Sequence, residues 1–135
     1  MRILPVRKRV TISVAPMRYV WVGLGGAVGS IARYAISINV DQQRFPWATL
    51  GINIVGAFIL GLFLTLALGN LSVDVITPIA VGVIGGFTTF STFAWEGFTL
   101  GRTGRAGVAV VYLTVSVVGG LLAASAGYGL GRAIR

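Results

Sequence analysis

Val75 to Trp95 reads VITPIAVGVIGGFTTFSTFAW, an uncharged run bounded by Asp74 and Glu96. Its length meets the roughly 20 residues that a helix needs to cross a hydrocarbon layer. Its middle does not read as a uniform helix. Gly85-Gly86 sets two weak helix formers side by side, and Thr88-Thr89 adds two β-branched residues. Ile79 to Val83, just before, would otherwise continue the helix. The run therefore predicts a membrane helix broken within Gly85–Phe93. Irregular backbone at membrane depth persists only when it is buried in protein or lines a polar cavity. The same nine residues are thus both the architectural signature and the first candidate site.

The rest of the chain fits around this run. Val20 to Val40 is apolar except for Ser30, Arg33 and a few small polar residues, and predicts a helix over about 20–40. Phe45 to Val73 has no charge and predicts a second span over about 47–69. The third, broken span covers about 75–100, and Ala106 to Gly131 predicts a fourth over about 106–131. A basic tail, 1–19, precedes them and a short one, 132–135, follows. The first span is too long for a signal-peptide core, and Arg33 stands where a small-residue cleavage site would be needed. The expected fold is an all-α integral membrane protein of four spanning helices.

Composition supports that class and narrows the chemistry. Of 135 residues, 56% are hydrophobic and 10% charged, against about 25% charged in soluble domains. A soluble globule this small could not bury so much apolar surface. Cysteine and histidine are absent, and Asp41, Asp74 and Glu96 are the only carboxylates. Disulfides, thiolate chemistry and a Ser-His-Asp triad are excluded, and a carboxylate metal cage would need more carboxylates than these three, so the chain does not read as an enzyme. The net charge of +8 comes from Lys and Arg flanking apolar runs, the pattern of topology anchors and not of a nucleic-acid surface. Trp21, Trp47, Trp95 and Tyr112 lie near expected span ends, as interfacial aromatics do. Gly25/Gly29, Gly97/Gly101 and Gly127/Gly131 are small pairs at helical spacing that let helices approach closely.

Polar groups inside a membrane need a partner or a role. The freed carbonyls of Gly85 and Thr88 suit a small cation such as Na⁺, as unwound helices do in transporters. Phe90 and Phe93 share one helix face, and an anion can meet the positive edge of an aromatic ring. Asn53 is the one amide within the second span, able to donate to an anion or to another helix. Arg33 is able to bind an anion directly, to snorkel to an interface or to pair with backbone carbonyls, and reads best as a structural or vestibule residue. Tyr112 and Ser116, one turn apart on the fourth span, form a polar track or bond back to their own helix. Neutral donors and aromatic edges, with no carboxylate until Glu96, suit a small anion better than a proton-coupled cation.

Gly85-Gly86-Phe87-Thr88-Thr89-Phe90-Ser91-Thr92-Phe93, followed by Glu96, resembles the signature of the CrcB/Fluc fluoride channels. The glycine-rich segment Gly25 to Arg33-Tyr34 and the element Thr49-Leu50…Asn53…Gly56 resemble that family's first and second helices, and the likeness covers about 20–131. The resemblance implies an antiparallel, dual-topology homodimer in a prokaryotic plasma membrane, with two pores that carry fluoride out of the cell. It implies a structural Na⁺ on the two-fold axis, held by main-chain oxygens of Gly85 and Thr88. Phe90, Phe93, Asn53, Ser91, Thr92, Tyr112 and Ser116 would line the fluoride path, with Arg33 and Glu96 in vestibule or structural positions. Where one further hydroxyl would extend the track, the chain has Gly120. A four-helix multidrug exporter is the alternative by size, but it would need a carboxylate deep in the first span. A purely structural subunit would leave the hydroxyl cluster without a purpose.

With the N-terminus inside, seven basic residues (Arg2, Arg7, Lys8, Arg9, Arg18, Arg132 and Arg135) lie on the cytoplasmic side and three (Arg44, Arg102 and Arg105) outside. That bias opposes dual insertion and leaves pairing with an opposite-facing paralogue open beside the homodimer. A start at Met17 would leave three against three and abolish the bias. Residues 1–16 are accordingly expected to be an upstream extension. Mass spectrometry of the native protein is expected to find Met17 at the N-terminus; an intact Met1 or Arg2 terminus would overturn this.

Overall fold

The structure is a computed structural model that describes residues 16–42 and 44–135. The described residues are helical or in turns, with no strand among them. In chain order the elements are α1 (Pro16–Asn39), α2 (Trp47–Ala67), α3 (Val73–Thr77), a π-helical segment (Pro78–Ile84), α4 (Gly85–Phe87), α5 (Phe90–Arg102) and α6 (Ala106–Ala133). Residues 1–15, and with them most of the basic tail and nearly all of the expected upstream extension, lie outside the described residues.

Among the described residues, three stretches are long and apolar enough to cross a membrane: Trp47–Ala67, Val73–Arg102 taken through its break, and Ala106–Ala133. At about 1.5 Å per residue, the 21 residues of α2 span roughly the 30 Å of a hydrocarbon core. The first of the four expected spans is not among the three. Its helix, α1, has 24 residues and sufficient length, but Arg18, Arg33 and Asn39 lower its apolar character.

Backbone-to-backbone approach at glycines organises the packing. α6 lies along α2, where a methyl on Gly127 would stand 2.1 Å from the Phe58 carbonyl oxygen and one on Gly131 2.8 Å from Thr65 Cβ. α1 lies along the π-helical segment and α4, where a methyl on Gly29 would stand 2.1 Å from the Val83 carbonyl oxygen and one on Gly25 2.8 Å from that of Pro78. Two of the three expected glycine pairs therefore work as pairs. The third is split: Gly97 packs on Leu113, whereas Gly101 faces open space. α5 and α6 close a small core of Leu50, Phe93, Leu100, Ala109 and Tyr112 with α2. Most other large apolar side chains point outward, Phe98, Val110, Leu121 and Leu122 among them, as a lipid-facing surface requires.

The third stretch departs from a simple Gly-Gly break. Gly85 has helical angles, φ −64° and ψ −37°. The chain leaves the helix two residues beyond the glycine pair, at Thr88 (φ −79°, ψ 161°) and Thr89 (φ −149°, ψ 119°). The glycines serve contact instead: a methyl on Gly86 would stand 2.7 Å from the Gly26 carbonyl oxygen. Before the break, Pro78–Ile84 winds as a wider π-helix. At the opposite end of this stretch Arg18 pairs with Asp74 at 2.5 Å, joining the start of α1 to the first turn of α3.

Gly29→Ala is expected to lower thermal stability of the purified protein by about 1–3 kcal/mol, because a fixed backbone oxygen occupies the space. Gly101→Ala, facing open space, is expected to stay within about 0.5 kcal/mol. Equal melting temperatures for the two variants would contradict this packing.

Candidate functional site

The break is held from outside by α2. Asn53 accepts the Thr89 backbone N–H at Oδ1 (2.9 Å) and donates from Nδ2 to the Thr89 carbonyl (3.0 Å). One side chain thus satisfies both main-chain groups of the extended Thr89, as a paired strand would. Only one of the two amide N–H donors of Asn53 is used this way. Thr89 in turn caps α5: its Oγ1 accepts the Thr92 N–H (3.3 Å) and donates to Thr92 Oγ1 (3.0 Å), and Ser91 Oγ lies 3.4 Å away. A threonine N-cap followed three residues on by an N–H partner is the ordinary start of a helix.

These bonds decide which carbonyls the break releases. In a continuous helix the N–H of Thr89 would close on the Gly85 carbonyl, and that of Thr92 on the Thr88 carbonyl. Both N–H groups are engaged elsewhere. Gly85 and Thr88 line one cavity of about 300 Å³ together with Asn53, Gly56, Thr89 and Phe90. Among the described residues no cluster of His, Asp or Glu could hold a metal. Main-chain oxygens without a helical donor are hard, neutral ligands that fit a small monovalent cation.

From this cavity a line of aromatic rings runs into the core. Phe90 is 78% exposed in the single chain and Phe93 8%; their ring centroids are 5.7 Å apart. Phe93 then meets Tyr112 at 5.4 Å, and Phe45 meets Tyr112 edge-on at 5.5 Å. Tyr112 is completely buried. It is not the interfacial aromatic that its place near a span end suggested, because its face of α6 packs against Phe93 and Glu96 of α5. Its hydroxyl donates to Glu96 Oε2 at 2.6 Å, while Thr49 donates to Oε1 at 2.9 Å. The only carboxylate near the site therefore has both oxygens held by hydroxyls. One turn beyond Tyr112, Ser116 Oγ is buried with no hydrogen-bond partner in the described structure. It does not bond back to its own helix.

The structure thus brings Asn53, Gly85, Thr88 and Phe90 to one cavity, and places Phe93 and Tyr112 in the buried core beside it, with Glu96 bonded to Tyr112 and Ser116 buried one turn further on. Ser91 and Thr92 reach the cavity through Thr89. Arg33 stands behind the break: its Nε donates to the Gly86 carbonyl at 3.2 Å, where Ser30 Oγ also points at 3.4 Å. Sequence reasoning gave no separate role to Thr49, Thr89 or Phe45. Thr49 was findable, since it lies one turn before Asn53 on the same face of α2. Phe45 was not, because its contact depends on how the loop before α2 folds back.

Comparison with known proteins bears on this arrangement. The family model described as CrcB-like protein, Camphor Resistance (CrcB), matches residues 20–128. The chain belongs to the CrcB family. Similar CrcB relatives include the fluoride-specific ion channel FluC of Thermus thermophilus, 46% identical over 121 residues that cover 87% of this chain and 95% of the relative. Those of Magnetococcus marinus and Acidobacterium capsulatum are 42% and 38% identical, each over 87% of this chain and 100% and 98% of their own lengths. These CrcB relatives are ion channels and not enzymes.

Asn53→Asp keeps the acceptor for the Thr89 N–H but opposes a carboxylate to the Thr89 carbonyl. It is expected to destabilise the protein by about 1–3 kcal/mol, read as a fall in thermal unfolding temperature in detergent. An unchanged value would mean that the break does not depend on Asn53.

Proposed function

We propose that this chain forms a fluoride-selective channel that lets cytoplasmic fluoride leave down its electrochemical gradient, protecting the cell from fluoride toxicity. The observation that carries the reading is the cavity lined by Asn53, Gly85, Thr88, Thr89 and Phe90, behind which the rings of Phe93 and Tyr112 stack in turn; the proposed fluoride path follows these rings toward Ser116. Fluoride is small and strongly hydrated. The unused N–H of Asn53, the hydroxyls of Ser91, Thr92 and Ser116, and the edges of Phe90 and Phe93 replace its water in sequence. None holds it with a full charge, so it can enter and also leave. Glu96, with both oxygens engaged, shapes the inner end and orients Tyr112. Fluoride enters cells as neutral HF and is trapped on ionisation. A passive route suffices for its removal, because a negative-inside potential contributes about 2.3 kcal/mol per charge per 100 mV.

Four-span insertion, with α1 as the least apolar member, follows from this reading. So does assembly as an antiparallel pair with two pores, in a prokaryotic plasma membrane. It is supported by the exposure of Phe90 and Gly85 at the cavity mouth, which leaves the single chain with half an enclosure. The partner is a second copy, or an opposite-facing paralogue. The main-chain oxygens of Gly85 and Thr88 would hold a structural Na⁺, which supplies a fixed positive charge beside the path.

Fluoride efflux from liposomes containing this chain, with Na⁺ and valinomycin present, is expected to be fast, and chloride efflux absent. Phe93→Ile and Phe90→Ile are each expected to slow fluoride efflux by roughly three- to tenfold, the equivalent of an aromatic-edge contact, with the dimer intact. Unchanged flux in both variants would remove the ring edges from the path. Efflux that appears only after an opposite-facing paralogue is added would assign the partner.

A further inference from the structure

α4 is a single turn of three residues between a π-helical segment and an extended break. A turn this short has no interior ladder to hold itself. Its two sides differ. One side, with Gly85 and the following Thr88, faces the cavity. The other is pressed on α1: a methyl on Gly86 would meet the Gly26 backbone, and one on Gly29 would stand 2.7 Å from the Phe87 nitrogen. The Gly86 carbonyl lies on that side. In a continuous helix it would take the N–H of Phe90, but the extended angles of Thr88 and Thr89 carry Phe90 away. Arg33 Nε takes that place at 3.2 Å, with Ser30 Oγ at 3.4 Å.

We infer that Arg33 is a positioning residue that clamps the Gly86 carbonyl from α1 and so sets the orientation of the neighbouring Gly85 and Thr88 carbonyls toward the cavity. The Nε–H of Arg33 is directed into the backbone of the break. α2, through Asn53, holds Thr89, and α1, through Arg33, holds Gly86, so the break is gripped on both flanks. A hydrogen bond from a charged donor is among the stronger ones in proteins, which suits a point where the helix contributes nothing of its own. The effect on cation binding rests on the channel reading above; the effect on the backbone does not.

The test compares the full-length parent with Arg33→Met and Arg33→Lys by two readouts. Amide hydrogen exchange of residues 88–92 reads the backbone directly, without fluoride. It is expected to quicken about tenfold or more in Arg33→Met, and to return most of the way in Arg33→Lys, which keeps a charged donor. The Na⁺ concentration for half-maximal fluoride efflux is expected to rise about tenfold in Arg33→Met, with the fluoride dependence unchanged. Unchanged exchange, or a weakened fluoride dependence with the Na⁺ requirement unmoved, would overturn the inference and make Arg33 an anion attractor. Should Arg33→Met not fold, Arg33→Gln, neutral and shorter in reach, takes its place with the same readouts. If the parent carries no fluoride at all, the channel reading fails, while exchange still decides whether Arg33 clamps the break.

Discussion

A main chain that leaves the helix at membrane depth must find a partner for each polar group it exposes, and the two-point bond between Asn53 and Thr89 is where this protein meets that demand. Lipid offers no substitute for water, and an unpaired buried amide costs several kcal/mol. Asn53 satisfies the N–H and the carbonyl of one residue at once. The Thr89 hydroxyl then starts α5, and from the start of α5 follow the facing of Phe90 and Phe93 and the approach of Glu96 to Thr49 and Tyr112. Each of these is a downstream consequence of where one amide stands on α2.

The site and the packing use different residues for opposite purposes. Hydroxyls, amide and rings gather where α2, α5 and α6 meet. Glycines gather where α1 crosses the π-helical segment and where α6 crosses α2, at separations that only bare backbone allows. Without a hydrophobic force between helices in lipid, such close approach is the main source of cohesion. The channel proposed here thus has a rigid frame of glycine contacts around a short polar interior.

Much of this was legible in the sequence because both signals are local. Uncharged runs of membrane length lie plainly between Asp74 and Glu96 and between Arg105 and Arg132, and the corresponding helices are α3–α5 and α6. The presence of a break near Gly85–Phe93 was legible as well, from the crowding of poor helix formers. Its position was not. Gly85 and Gly86 are permissive and not obliged to break a helix, so the tertiary partner decided: Asn53 captures Thr89, and the chain opens there. The burial of Tyr112 depended on a contact between α5 and α6 that no periodicity within α6 reports. Phe45 likewise acquires its place from the fold of a loop. The role of Thr49 lay in plain view at helical spacing from Asn53, but its partner Glu96 is on another helix.

The π-helical segment gives the third stretch a mechanical property of its own. A wide turn accommodates one residue more than an α-helix of equal rise would, and so shifts the phase of all that follows. Rewinding it to α geometry would rotate the downstream side chains by about 100°. Phe90, now at the cavity mouth, would swing to another quarter of the helix. Against such rewinding stand the glycines of α1, which mesh with the π-helical backbone tooth by tooth. Gly25 and Gly29 therefore act at a distance as a detent, fixing the angular setting of rings they never touch.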